Sequence, residues 1–361
     1  MYPQLHINLK KLQHNAEFLL KLCEKSHISA AAVTKVFCAD EKMVEVLCGL
    51  PFAFLADSRL ENLESYKKMD AFKRFSGRTM LLRLPSPSEA RRTVEACDVS
   101  LNSELFTLKA LAKAAEAAGI RHGVVQMIDL GDLREGVFYK NKKLLFETVD
   151  FILSQKNLTF EGIGVNLTCY GSVLPTTENL QLLCEIASDI TKHTGKGVGL
   201  LSGGNSSSLY LLEKGLIPGG VNNLRLGESI VRGVETAYGK PFAGLEQDVV
   251  TLEAEIIEIM EKPSMPEGEI GINAFGEKIR YKDYGIRKRA ILAIGRQDTS
   301  EDGLTCLCPG TSVTGSSSDH LIIDITDADE QFSVGDTLKF SLSYGAILAG
   351  FTSKYVKREY I

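Results

Sequence analysis

Lys35 closes an unusual run, Ile28-Ser29-Ala30-Ala31-Ala32-Val33-Thr34-Lys35-Val36. Small and β-branched residues fill this stretch, which predicts a strand buried on both faces with an amine near its C-terminal end. Burying an ammonium there costs several kcal/mol unless it is paired or loses its charge. One chemistry suits the environment: an amine held neutral, or condensed with a carbonyl as a Schiff base. A lysine that snorkels out of the strand end into a loop is the plainer alternative. A second feature is Ser202-Gly203-Gly204-Asn205-Ser206-Ser207-Ser208, ahead of a helix expected over 207–214. Backbone N–H groups, glycines without Cβ and hydroxyl donors at a helix start make an anion site, although a capped helix after a glycine turn uses the same residues.

The elements that must position these groups follow from periodicity. A helix is expected over Leu9–Lys25, where Leu12, Ala16, Leu19, Leu20 and Cys23 recur at helical spacing. After the Lys35 strand, strand-like runs fall at Phe52–Asp57, Met80–Leu84, Val99–Asn102, Val124–Leu130, Phe160–Leu167, Gly199–Ser202 and Asn223–Gly227. Helical patterns separate them, the clearest at Ser103–Ala118, Lys142–Ser154 and Thr177–His193. Eight strand–helix units point to an α/β fold, a (β/α)8 TIM-type barrel over residues 9–232, with an open doubly wound sheet as the alternative. From about Gly233 short β runs alternate with Gly/Asp/Ser-rich turns and no long helical pattern intervenes. This predicts a smaller all-β domain, 233–361, joined by the strand within residues 1–8.

A barrel carries its active site at the C-terminal strand ends. That rule gathers Lys35 after strand one, Arg134 after strand five, Asn166 at the end of strand six, the Gly-Ser segment after strand seven and Arg225 in strand eight. A lysine facing a phosphate-sized anion site is the arrangement that pyridoxal phosphate (PLP) requires.

The formal net charge of −5 argues against nucleic acid or an anionic membrane as partner. The N-terminus shows no basic then apolar leader, and no apolar run approaches a membrane span. Eight cysteines are scattered, only Cys306 and Cys308 lying close together, so neither a disulfide framework nor a metal site is expected. Free thiols in the cytoplasm are the expectation.

In order and spacing, several segments resemble the alanine racemase family of PLP enzymes, most closely its ornithine-racemase-like branch. They are His6-Ile7-Asn8-Leu9-Lys10-Lys11-Leu12, Ala32-Val33-Thr34-Lys35, Asp129-Leu130-Gly131-Asp132-Leu133-Arg134-Glu135-Gly136, Gly204-Asn205-Ser206-Ser207, Arg225-Leu226-Gly227, Ser318-Asp319-His320 and Leu342-Ser343-Tyr344-Gly345. The resemblance spans nearly the whole chain. It implies a PLP-dependent racemase interconverting L- and D-amino acids, with ornithine as the expected substrate and lysine or alanine behind it. A non-catalytic PLP-binding protein and a PLP decarboxylase or aldolase are the rival readings.

The resemblance also implies roles. Lys35 would hold PLP and act as base on one face of Cα; Gly204, Asn205, Ser206, Ser207, Gly227 and Tyr344 would cradle the cofactor. Arg225 would meet the pyridine nitrogen and keep it unprotonated, which favours racemisation over decarboxylation. Arg134 would serve in catalysis and at the substrate.

Three departures stand out. Asn166 occupies the place of a ring-stacking histidine, Met127 that of a carbamylated lysine, and Arg296 that of the tyrosine base. The opposite-face proton then falls to Tyr284, His320 or Cys169. Acidic residues for a cationic side chain are available at Asp132, Glu135, Asp298 and Asp319. The implied assembly is a head-to-tail homodimer in which the partner's β domain, with Asp319 and the 296–298 segment, covers each barrel mouth.

Overall fold

Eight parallel strands close on themselves in the computed structural model, which describes residues 2–361. In chain order they are Ser29–Val33, Phe54–Asp57, Arg78–Leu81, Val99–Asn102, His122–Asp129, Leu158–Val165, Leu200–Ser202 and Asn223–Leu226. Each pairs with its successor, and the eighth closes against the first with Arg225 opposite Ala31. These are the eight strands expected from periodicity, and the closed ring excludes the open sheet.

Alternation along the strands fixes two faces. Ala31, Val33, Ala56, Met80, Val125 and Met127 pack together inside the ring. The opposite faces meet the helices; Val124, for example, packs with Leu108, Leu111 and Ala115. Helix Leu9–Lys25 buries Leu12, Ala16, Leu19 and Cys23 along one stripe. Helix Thr177–Thr194 starts with a capping box between Thr176 and Asn179, and it stops at Gly195 in the left-handed region.

Contacts within the chain separate Lys10–Gln247 from a unit made of residues 2–9 and Asp248–Ile361. The boundary thus lies at 247/248 and not at 232/233. Asn15 shows why: its side chain donates to Ile230 O at 3.0 Å and Glu246 O at 2.8 Å and accepts from Glu246 N at 2.8 Å. These bonds tie 233–247 to the barrel's first helix.

The second unit is a mostly antiparallel sheet. Leu304–Cys306, Thr337–Leu342, Val250–Pro263, Ile286–Leu292, Leu321–Asp324 and Ser312–Ser316 lie side by side in that order. Gln4–Ile7 joins it, antiparallel to Val250–Pro263 and parallel to Lys357–Tyr360. One helix, Tyr344–Thr352, corrects the expectation of a wholly β unit. Its sequence, Tyr-Gly-Ala-Ile-Leu-Ala-Gly-Phe-Thr, is apolar on all sides and shows no 3.6-residue stripe. The start is fixed locally, where Ser343 Oγ accepts from Ala346 N at 3.3 Å. Among the described residues no helix is long and apolar enough to cross a membrane.

Candidate active site

Lys35 does not lie within the strand. The first barrel strand ends at Val33, and Lys35 opens a single tight turn, Lys35–Phe37, at the C-terminal mouth. Its side chain is exposed there, which corrects the expectation of a buried amine. The recess still crowds it. Desolvation pulls the amine below its ordinary pKa, with Cys169, Asp57 and Glu228 opposing and Arg134 adding to the fall. A lowered pKa enlarges the neutral, nucleophilic fraction of the amine.

Thr34 holds the turn from behind. Its hydroxyl donates to Asp57 Oδ2 at 2.5 Å and also meets Tyr66 OH. Asp57 and Tyr66 are fully buried. The Asp57 carboxylate also accepts from Arg59 N at 2.9 Å and Asn62 Nδ2 at 3.0 Å. Burial pushes the Asp57 pKa up against these bonds. This network was not anticipated; its one signal in the sequence was an aspartate ending the apolar run Phe52–Asp57.

Strands five to eight and the loops after them supply a second network. Arg225 is buried inside the ring and donates to Ser202 Oγ, to Val165 O at 2.7 Å and to Asn166 Oδ1 at 2.7 Å. Asn166 in turn donates to Glu135 Oε1. The same carboxylate takes Arg134, through Nε and through Nη2 at 2.7 Å. Burial lowers the Arg225 pKa to about 10, so the guanidinium remains a cation at neutral pH.

Asp132 is an anchor and not a substrate carboxylate. It is buried and accepts from Cys169 N at 3.2 Å, Tyr170 N at 2.9 Å and Val173 N at 3.1 Å. These bonds fix the loop after strand six over the loop after strand five. Cys169 consequently sits beside the Gly-Ser segment, with Asn205 Nδ2 at 3.4 Å from its sulfur. Burial raises the Cys169 pKa, while Arg134 and Lys35 draw it down.

The Gly-Ser segment forms a tight turn, Ser206–Ser208, followed by the short helix Leu209–Glu213, where a continuous helix over 207–214 was expected. Gly204 lies at φ 108°, a conformation that only glycine takes readily. Asn205 Oδ1 accepts from Ser207 N at 2.8 Å. Ser206 Oγ turns toward Ser229 Oγ at 3.0 Å. Ser207 Oγ is buried and finds no hydrogen-bond partner among the described residues. Gly227 packs so closely on Val33 that a Cβ would lie 2.9 Å from Val33 Cβ.

The barrel mouth therefore gathers Lys35, Arg134, Asn166, Gly204, Asn205, Ser206, Ser207, Arg225 and Gly227. The other expected site residues belong to the strand-rich unit. Tyr284 is exposed in the long connection before Ile286–Leu292. His320 Nδ1 pairs with Asp319 Oδ1 at 3.1 Å. Arg296 N donates to Ser317 O at 3.0 Å, so the 296–298 segment runs beside Asp319. Asp298 is buried and accepts from Ser353 Oγ at 2.7 Å. Tyr344 is the first residue of the helix.

The comparisons agree on one family. Residues 7–233 match the sequence profile of the alanine racemase N-terminal domain. The chain is 46% identical to an ornithine racemase from Acetoanaerobium sticklandii over 99% of both chains. It is 37% identical to a lysine racemase from Thermotoga maritima over 100% of this chain and 99% of the other. An alanine racemase from Bartonella henselae, solved with covalently bound pyridoxal phosphate, shares the fold at a TM-score of 0.74 and 15% identity, covering 100% of both chains. The chain belongs to the alanine racemase family.

Proposed function

We propose that this protein is a PLP-dependent racemase that interconverts L- and D-ornithine. The observation that carries the reading is 46% identity, end to end, with an ornithine racemase. Lysine is the next substrate, supported by the 37% relative. The mouth has features that fit the cofactor: a lysine amine of lowered pKa, and a buried Ser207 hydroxyl, without a hydrogen-bond partner among the described residues, beside a glycine turn.

Lys35 Nζ would hold the group, and Gly204, Asn205, Ser206, Ser207, Gly227 and Tyr344 would receive it. When bound, PLP supplies the electron sink that makes an amino acid's Cα proton acidic. The chain's own residues do the rest. Lys35 carries a proton at Nζ on one face of Cα, and Arg134 orients the substrate carboxylate by paired N–H donors. Arg225 would offer N–H donors to the ring nitrogen and, being charged, would disfavour its protonation. For the opposite face, Cys169 is the candidate within the barrel, with Tyr284 and His320 in the strand-rich unit. Asp298 and Asp319 are candidates for the distal ammonium, Asp319 being the exposed one.

The family resemblance supports a head-to-tail homodimer with sites completed by the partner's strand-rich unit. Eight free cysteines suit a reducing cytoplasm. Incubation with L-ornithine in D2O tests the function: a racemase loses optical rotation and places deuterium at Cα. Carbon dioxide release would instead indicate a decarboxylase, and no change at all a PLP carrier.

A further inference from the structure

A guanidinium has five N–H donors and cannot shed its charge in a protein. Arg225 places that charge inside the barrel, 3% exposed. Its hydrogen bonds go to Ser202 Oγ, Val165 O and Asn166 Oδ1, all neutral acceptors. An uncompensated buried charge costs several kcal/mol, so an anion is expected close by. Following the bonds outward finds one. Asn166 uses its carbonyl for Arg225 and its amide N–H for Glu135 Oε1. Glu135 is largely covered, its side chain 13% exposed, whereas Arg134 is 42% exposed toward the mouth. The carboxylate's two oxygens are both used by Arg134, and Oε1 is shared with Asn166.

We propose that Glu135 is a positioning residue shared by two arginines. It holds Arg134 directly at the mouth and compensates the buried Arg225 charge through Asn166. This rests on the reading of Arg134 and Arg225 as substrate-side and ring-side groups. One carboxylate thereby sets both, and a substrate that draws Arg134 away leaves more of its charge to the Asn166–Arg225 arm. Cys169 faces Glu135 together with Arg134, Lys35 and Asp132. Cys169 and the buried Arg225 each feel one fewer anion when Glu135 is neutralised.

Two measurements test this. In the full-length cofactor-free chain, Glu135→Gln and Arg225→Met are combined in a double-mutant cycle read by urea unfolding. Glu135→Gln should lower the midpoint more when Arg225 is present than beside Arg225→Met, where only the Arg134 pair is lost. In the PLP-loaded enzyme, Glu135→Gln should move the kcat/KM pH profile to lower pH by roughly 1 unit, the scale of one nearby charge. Glu135→Asp should restore most of the shift. Coupling in the cycle together with a shifted profile supports the assignment. Additive effects in the cycle, or an unmoved profile in an enzyme that racemises, overturn it. If the parent chain racemises nothing, the functional reading fails instead, and the cycle still decides for or against Glu135 as the partner of Arg225.

Discussion

Thr34 donates its hydroxyl proton to Asp57 across 2.5 Å, one residue before Lys35. The backbone that presents the amine is thereby fixed by a buried carboxylate on the neighbouring strand, and Tyr66 closes the same network. Thr34→Val keeps the shape of the side chain and removes the donor. It should cost about 1–3 kcal/mol in urea unfolding, the penalty for leaving buried polar groups unsatisfied. Thr34→Ser should recover most of that stability. Equal stability of Thr34→Val and the parent would mean that the network does not secure the turn.

The Ser207 hydroxyl makes the opposite prediction. Because it is buried without a partner among the described residues, Ser207→Ala should leave the cofactor-free chain as stable as before, or slightly more so. Affinity for PLP should nonetheless fall roughly 10-fold or more, the loss of one charge-assisted hydrogen bond. Fluorescence titration of the cofactor-free chain with PLP measures this. Unchanged affinity would remove Ser207 from the anion site.

The barrel was legible because eight short runs kept strand character and helical spacing returned between them. Lys35 was located correctly by that count but placed in the strand, since nothing in Val33-Thr34-Lys35-Val36 announces that pairing stops at Val33. Asp132 and Glu135 look alike in sequence, two acids in one loop offered to a cationic side chain. The structure separates them: Asp132 caps three backbone N–H groups of the next loop, and Glu135 pairs with Arg134. Neither role is readable from the loop alone, because the bonds that distinguish the two acids go to residues after strand six, Cys169, Tyr170 and Val173 for Asp132 and Asn166 for Glu135. The helix Tyr344–Thr352 escaped notice for a different reason, having no polar face to set against an apolar one.

His122 gives a pH dependence independent of the site. Burial lowers its pKa from 6.5 to about 4, and Nε2 lies 2.7 Å from Ser100 Oγ. A neutral buried imidazole favours the folded chain fully above pH 6.5. Below that the unfolded state takes up the proton first, so this contribution is lost as pH falls from 6.5 toward about 4. The total is about 3 kcal/mol. Urea midpoints across this range should decline more steeply in the parent than in His122→Gln. Parallel declines would contradict the assignment.

Substrate choice bears on the acidic residues. Replacing Asp319 with Asn should raise KM for ornithine by a few-fold, roughly the loss of one exposed ion pair, and leave KM for alanine unchanged. Steady-state kinetics with both substrates decides, and a uniform change would show that Asp319 does not meet the distal ammonium.

Racemisation by this barrel depends on Lys35 carrying the cofactor at the mouth. Reducing the PLP-loaded protein with borohydride fixes the cofactor to its amine, and peptide mass mapping then identifies that amine. The phosphopyridoxyl mass should appear on the peptide containing Lys35, and be absent from the Lys35→Ala chain. A label on any other lysine, or none in a protein that racemises ornithine, would contradict this role for Lys35.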